Sequence, residues 1–147
     1  MSIITYRVSY IIYLIFLFKI NIKILIMNKK KISIYITNHN YGKYIERAIE
    51  SALKQTYKNI EVIIVDDYSG DNSKNIIKKY KYTKNIKIIF NKSKIGLIKS
   101  SIKAIKVATG YFILRLDADD YLVPNACKAL ISKIKKKSNV ALIFPDF

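Results

Sequence analysis

One cysteine, Cys127, is present in 147 residues. No disulfide can therefore form within the chain, which fits a reducing compartment. With no second thiol and no histidine nearby in sequence, Cys127 reads as a small core residue of a helix rather than a nucleophile. Arginine is nearly as scarce. Arg7, Arg47 and Arg115 are the three among 27 basic residues, and the rest are scattered lysines. The formal charge of +17 thus marks a lysine-rich composition. A base-reading surface would need arginine in a concentrated patch, so no nucleic-acid partner is expected. The basic field still favours anionic ligands such as nucleotide diphosphates. Neither G-x-x-x-x-G-K-[ST] nor G-x-G-x-x-G occurs, which removes the P-loop and Rossmann fingerprints. There is no internal repeat and no low-complexity linker.

A clean membrane-spanning run is also missing. Val8 to Phe18 is uncharged and apolar, but Lys19, Asn21 and Lys23 break up the residues after it, short of the roughly 20 apolar residues a span needs. The start is weakly basic and carries no small-residue cleavage site, so it makes a poor signal peptide. Met27-Asn28-Lys29-Lys30-Lys31 has the look of an ordinary start just before the first strand. Residues 1–26 are expected to be a misassigned start, with a membrane-associated leader or a disordered extension as the alternatives. Residues 27–147 form one domain, placed in the cytoplasm, with peripheral association at the inner membrane face left open.

What remains alternates between strand and helix signals. Ile32 to Thr37, Ile60 to Val65, Ile86 to Phe90, Tyr111 to Leu116 and Val140 to Phe144 are short β-branched or apolar runs closed by turn residues. Between them, Lys43 to Lys54 repeats apolar residues at helical spacing. A helix capped by Asp71 or Asn72 carries Ile76, Ile77 and Tyr80. Leu97 to Ala108 is expected to turn Ile98, Ile102 and Ile105 inward and to end at Gly110. Pro124 suits the first turn of a last helix running to about Lys137. The strands are continuously apolar, which predicts an α/β fold in three layers, a mainly parallel sheet with helices on both faces.

Only ten acids are present, and three of them fall between Asp117 and Asp120. Like charges this close repel, so a folded chain keeps them together where something cationic binds. Asp66-Asp67 closes another apolar run, and Thr37 to Asn40 closes the first. In open α/β sheets, ligands bind beyond the carboxyl ends of the strands, so three clusters far apart in sequence are expected to share one rim. Asp117 and Asp119 are two apart, and in an extended segment they would face one way. Two such carboxylates suit Mg²⁺ or Mn²⁺; a solvated acidic turn with Asp120 capping a helix is the alternative. His39, the sole histidine, is placed to stack on a base, and no adjacent carboxylate orients it as a general base. Lys92, Lys94 and Lys99 flank Gly96 and can reach phosphate or remain surface lysines.

Four segments carry a resemblance: Ile32 to Asn40, Ala48 to Tyr57, Ile63 to Asp71, and Gly110 to Asp120. In this order they resemble the family 2 glycosyltransferases of the GT-A, or nucleotide-diphospho-sugar transferase, fold. The likeness runs from about Ile32 to the end. It implies a donor such as a UDP-sugar and a saccharide or lipid-linked acceptor, as in cell-surface polysaccharide or glycoconjugate synthesis. It implies that Thr37, His39 and Asp67 line the base pocket, with Asp66 supporting it and Asn40 also among the donor-binding residues. His39 stands where the family usually has a stacking tyrosine. Asp117 and Asp119 match the D-x-D motif, Asp117 near the ribose and Asp119 on the metal that bridges the diphosphate. Arg115 and Lys99 would add positive charge near the phosphates. The usual Pro-Thr-Tyr-Asn is here Thr37-Asn38-His39-Asn40, and Ile102 stands where asparagine is common. The acceptor base belongs to the family's second half and is expected beyond Phe147; Asp146 comes too early. The fold is thus expected to be incomplete at its C-terminus, the donor-binding part of such an enzyme. A non-catalytic nucleotide-sugar-binding fragment is the alternative. A sugar-phosphate nucleotidyltransferase is a weaker one, because the Thr37 to Gly42 loop lacks that class's glycine-rich opening.

Overall fold

The computed structural model describes residues 30–135. Strands and helices alternate along them: β1 (Ile32–Asn38), α1 (Ile45–Leu53), β2 (Ile60–Asp66), α2 (Ser73–Lys78), β3 (Ile86–Phe90), α3 (Leu97–Val107), β4 (Phe112–Asp117) and α4 (Ala126–Lys135). The strands form one sheet in the order β3-β2-β1-β4, and every pairing is parallel. The leader, the Val140 to Phe144 strand, Asp146 and any extension of the last helix to Lys137 lie outside the described residues.

Side chains alternate across a strand, and both faces of the sheet are covered. On one face Ile32, Ile34 and Ile36 of β1 meet Val62 and Ile64 of β2 under Ile45, Ala48, Ile49 and Ala52 of α1, Ile77 of α2, and Cys127 and Ile131 of α4. On the other face Tyr35, Ile63 and Val65 meet Ala104 of α3. This is the three-layer arrangement expected from the continuous apolar strands. β2 is buried at all its positions. β4 pairs with β1 alone among the described residues, and its Ile113 and Arg115 are exposed. Among the described residues it is therefore an edge strand despite its apolar run.

The orientation of α3 corrects the sequence expectation. Ile98, Ile102 and Ile105 face solvent, Ile98 being 76% exposed. Ser100 and Ala104 lie against the sheet instead. The bulk at this interface comes from Tyr35, Ile63 and Val65, so close packing requires small residues from the helix. Helical periodicity identifies a stripe but does not choose between two candidate stripes. The last helix is also shifted: α4 begins at Ala126, leaving Pro124 in the preceding loop, where its carbonyl accepts the Thr56 N–H at 2.8 Å.

Glu61 fixes the register of β4 against β1. It is 3% exposed, and its Oε1 accepts Ser33 Oγ at 2.6 Å, Thr109 N at 2.6 Å and Thr109 Oγ1 at 2.8 Å. Lys87 and Lys31 lie 3.0 and 3.4 Å from Oε2. Burial opposes its charge, but hydrogen bonds from Ser33, Thr109 and Lys87 outweigh that and hold the carboxyl at about 2. Gly110 N donates to Ser33 Oγ at 2.8 Å, so the corner entering β4 is tied to both central strands.

Candidate functional site

The sheet order brings the three polar clusters together. β2 and β3 lie on one side of β1 and β4 on the other, so the strand order reverses between β1 and β4, the place where open α/β sheets bind ligands beyond the carboxyl ends. Thr37 is in register with Asp117 there, and with Val65 on its other side. Asn38 is in register with Asp66.

Asp66 is fully buried. Its Oδ1 accepts Asn38 Nδ2 at 2.8 Å and Ser69 Oγ at 2.5 Å, and its Oδ2 accepts Ser69 N at 3.0 Å. The carboxylate thus folds its own loop, as aspartates do in turns. Asp67, 4% exposed, reaches the other way. Asn91 Nδ2 and Ile95 N donate to its Oδ1 at 2.9 Å each, and Gly96 N donates to Oδ2 at 2.7 Å. Burial would raise this carboxyl, yet the donors from Ile95, Asn91, Gly96 and Ser100 hold it below its ordinary value. Asp67 sits at the N-terminus of α3, where a negative charge also meets the favourable end of the helix dipole.

The β1 loop is latched to the β2 loop. Asn40, at φ 62°, donates its N–H to Ser69 Oγ at 2.9 Å and accepts Gly70 N on Oδ1 at 2.8 Å. Asp71 accepts Gly42 N at 2.8 Å and Ser73 N at 3.0 Å. The expected cap of α2 is therefore made by Asp71; Asn72 holds the cap position, but its Oδ1 accepts Asn75 Nδ2 at 2.9 Å rather than a backbone N–H. The half-buried His39 ring sets Nδ1 2.8 Å from the Asp67 carbonyl. A carbonyl only accepts, so Nδ1 carries the proton, leaving Nε2 to face Asn40 Nδ2 at 3.4 Å. Among the described residues no carboxylate orients the ring, and its faces are what remain for a ligand.

At the end of β4, Arg115 grips Asp117 through Nη2 at 2.7 Å and Nε at 2.8 Å. The guanidinium and the carboxylate sit two apart on one strand face. The expectation that Asp117 and Asp119 continue one extended face is not met. The strand ends at Asp117, and Asp120 N returns to the Asp117 carbonyl at 3.1 Å to close a turn. Asp119 is exposed and its carboxylate has no protein partner among the described residues. Lys99, in the first turn of α3, is likewise exposed and unpaired among them.

The donor chemistry around Asp119 fits a hard divalent cation. Among the described residues there is no cluster of three or more ligating side chains. Mg²⁺-type sites commonly rest on one or two carboxylates, with substrate phosphates and water completing the shell. An exposed carboxylate unpaired among the described residues, two positions along the chain from an arginine-held one, fits that description.

Sequence reasoning missed the supporting residues. Asn38, Asn91 and Ser69 carry the buried hydrogen bonds behind the two aspartates. Lys103 donates to Asn91 Oδ1 at 2.7 Å. Arg47, Ser51 and Gln55 of the α1 segment reach the loop after β4. Their four-residue spacing was visible, but nothing in it named the far partner.

A family model described as Glycosyl transferase family 2 matches residues 33–146. The chondroitin synthase of Pasteurella multocida is 38% identical over 114 residues, which is 77% of this chain and 12% of that protein. The Escherichia coli enzyme WfaP, a UDP-Glc:α-D-GlcNAc-diphosphoundecaprenol β-1,3-glucosyltransferase, is 46% identical over 92 residues, covering 63% of this chain and 36% of its own length. Among solved structures, Staphylococcus aureus TarS 1–349 in complex with UDP-GlcNAc superposes with a TM-score of 0.67 at 32% identity, over 72% of this chain and 31% of that one. The chain thus spans about a third or less of the length of these proteins.

Proposed function

The chain belongs to glycosyl transferase family 2, and from that premise we propose that it binds a nucleotide-diphosphate sugar at the β1–β4 crevice for transfer to an acceptor. The observation that carries this is the register of Thr37 beside Asp117, with Asp119, its carboxylate unpaired among the described residues, in the turn that follows. The TarS complex supports a UDP-sugar as the donor. Thr37 and the faces of His39 receive the base. Asp66 and Asp67, bonded on both oxygens, hold the loops that shape this pocket, and Asn40 latches them. Asp117, fixed by Arg115, faces the ribose. Lys99 is free to meet the diphosphate. Asp119, with Asp117 beside it, would hold Mg²⁺ or Mn²⁺. When bound, such a cation supplies Lewis-acid neutralisation of charge on the departing diphosphate. The acceptor is a saccharide or a lipid-linked glycan, as the names of the chondroitin synthase and WfaP suggest. A lipid-linked acceptor would place the reaction at the inner face of the membrane. Among the described residues no helix is long and apolar enough to cross one.

Titration calorimetry of the 147-residue chain with UDP, with and without Mn²⁺, tests the proposal. Binding is expected, tighter with Mn²⁺, and the Mn²⁺-dependent gain is expected to vanish in Asp119→Ala. Unchanged affinity of that variant in Mn²⁺ would reject Asp119 as the metal ligand.

A specific observation favours a second reading, donor binding without transfer. Every described carboxylate except Asp119 and Asp120 is engaged in hydrogen bonds or ion pairs. With Asp119 assigned to the cation, only its chain neighbour Asp120 stays uncommitted among the described carboxylates, and no second, separate carboxylate is free to deprotonate an acceptor hydroxyl. Detectable sugar transfer to any acceptor by this chain would reject the second reading.

A further inference from the structure

The loop that follows β4 carries Asp119 and is anchored to the core through Ala118 and Leu122. Asp119, Asp120, Tyr121 and Val123 are exposed. Between and beyond those anchors its backbone is held by one stripe of the α1 segment. Arg47 and Ser51, four residues apart, lie on one face of α1, and Gln55, just past the helix end, is tied to that face by its Nε2 bond to the Ser51 carbonyl at 3.1 Å. Arg47 donates from Nη2 to the Asp119 carbonyl. Its guanidinium carbon also lies 5.0 Å from the Tyr121 ring centroid and 5.9 Å from that of Tyr44. Ser51 Oγ accepts the Leu122 N–H at 3.0 Å. Gln55 donates from Nε2 to the Val123 carbonyl at 2.8 Å and accepts the Cys127 N–H at 3.0 Å. Three consecutive steps of one stripe therefore hold the backbone from Asp119 to Cys127.

The bonds are to backbone, so they fix where the loop runs whatever side chains it bears. Arg47 is the member that touches the acidic residue itself. It is cationic and takes the carbonyl of Asp119, leaving that residue's carboxylate free. A residue so placed sets the direction of a ligand without being one, the role that outer partners play around metal sites.

We infer that Arg47 is a positioning residue for the Asp119 carboxylate, and that the Arg47–Ser51–Gln55 stripe is what presents this carboxylate at the crevice. The inference rests on the reading of Asp119 as the metal ligand. Arg47 lies on the wall of a surface cavity of about 260 Å³ shared with Glu50, Lys54 and Pro124, outside the buried core. Truncating it removes the clamp without emptying the core, and so leaves the fold intact.

The test compares the full chain with Arg47→Met, Arg47→Lys and, on the same cavity wall, Lys54→Met. UDP affinity is measured by calorimetry in chelator and in saturating Mn²⁺, with thermal unfolding alongside. In Arg47→Met the Mn²⁺-dependent gain is expected to shrink about tenfold, while affinity in chelator and the melting temperature stay at the parent values. Arg47→Lys keeps a donor for the carbonyl and is expected to restore most of the gain; Lys54→Met is expected to match the parent. An undiminished gain in Arg47→Met overturns the inference. So does an equal loss with and without Mn²⁺, which would mark a merely structural role. If the parent itself shows no Mn²⁺-dependent gain, the reading of Asp119 fails first and the inference falls with it.

Discussion

Glu61 offers a measure of how firmly the β1–β4 crevice is built. It lies near the amino ends of the strands, at the far end from the site, yet it ties Ser33 of β1, Thr109 before β4 and two lysines into one knot. Replacing it with glutamine keeps the shape and removes the charge. The carboxyl is held at about 2 against an ordinary 4.5. At about 1.4 kcal/mol per tenfold step in the acid constant, this corresponds to about 3 kcal/mol of stability at neutral pH. Lys31 and Lys87 are 23% and 39% exposed. Solvent screening of those partners lowers the expectation for Glu61→Gln to a loss of about 2 kcal/mol. The sign follows from the direction of the shift. The folded value lies below the unfolded one, so the contribution is complete above about pH 4.5 and is lost as the pH falls toward 2. Urea unfolding of both chains at pH 7, 4 and 3 reads it directly. The gap between parent and variant should close as the pH falls. A gap that holds its pH 7 size at pH 3 would show that the charge contributes nothing, and that lost hydrogen-bond geometry accounts for the whole effect.

Two further substitutions address neighbouring parts of the same construction. In Gly110→Ala the new Cβ would lie 2.6 Å from Ser33 N and 2.9 Å from the Ile32 carbonyl carbon; equilibrium unfolding should show a loss of about 1–3 kcal/mol, and parent-like stability would mean the β4 corner has room to give. In Asp67→Asn one side-chain N–H must face a backbone or amide donor now bonded to a carboxylate oxygen. The expected cost is about 1–3 kcal/mol, together with weaker UDP binding. Because the Asp67 carboxyl is held low, the difference from the parent should narrow as the pH falls below the ordinary carboxylate range; a variant that unfolds and binds like the parent at neutral pH would remove Asp67 from the site's support.

Sequence alone determined the alternation of strands and helices, the parallel sheet and the gathering of polar clusters at strand ends. These follow from backbone periodicities of 2 and 3.6 residues, which any local stretch displays by itself. The four motif segments also carried the family resemblance, and the family match over residues 33–146 agrees with it. Tertiary structure decided the rest. Only the strand order put Thr37 beside Asp117, 80 positions along the chain. Only packing against Tyr35, Ile63 and Val65 chose Ala104 over the isoleucines of α3. The turn at Asp120 N broke the extended register that alternation implied for Asp119, and the reach of α1 across to the Asp119 loop joined residues 72 positions apart. Periodicity states which residues share a face; which surface that face meets depends on where the rest of the chain has packed, and that is a property of the fold as a whole.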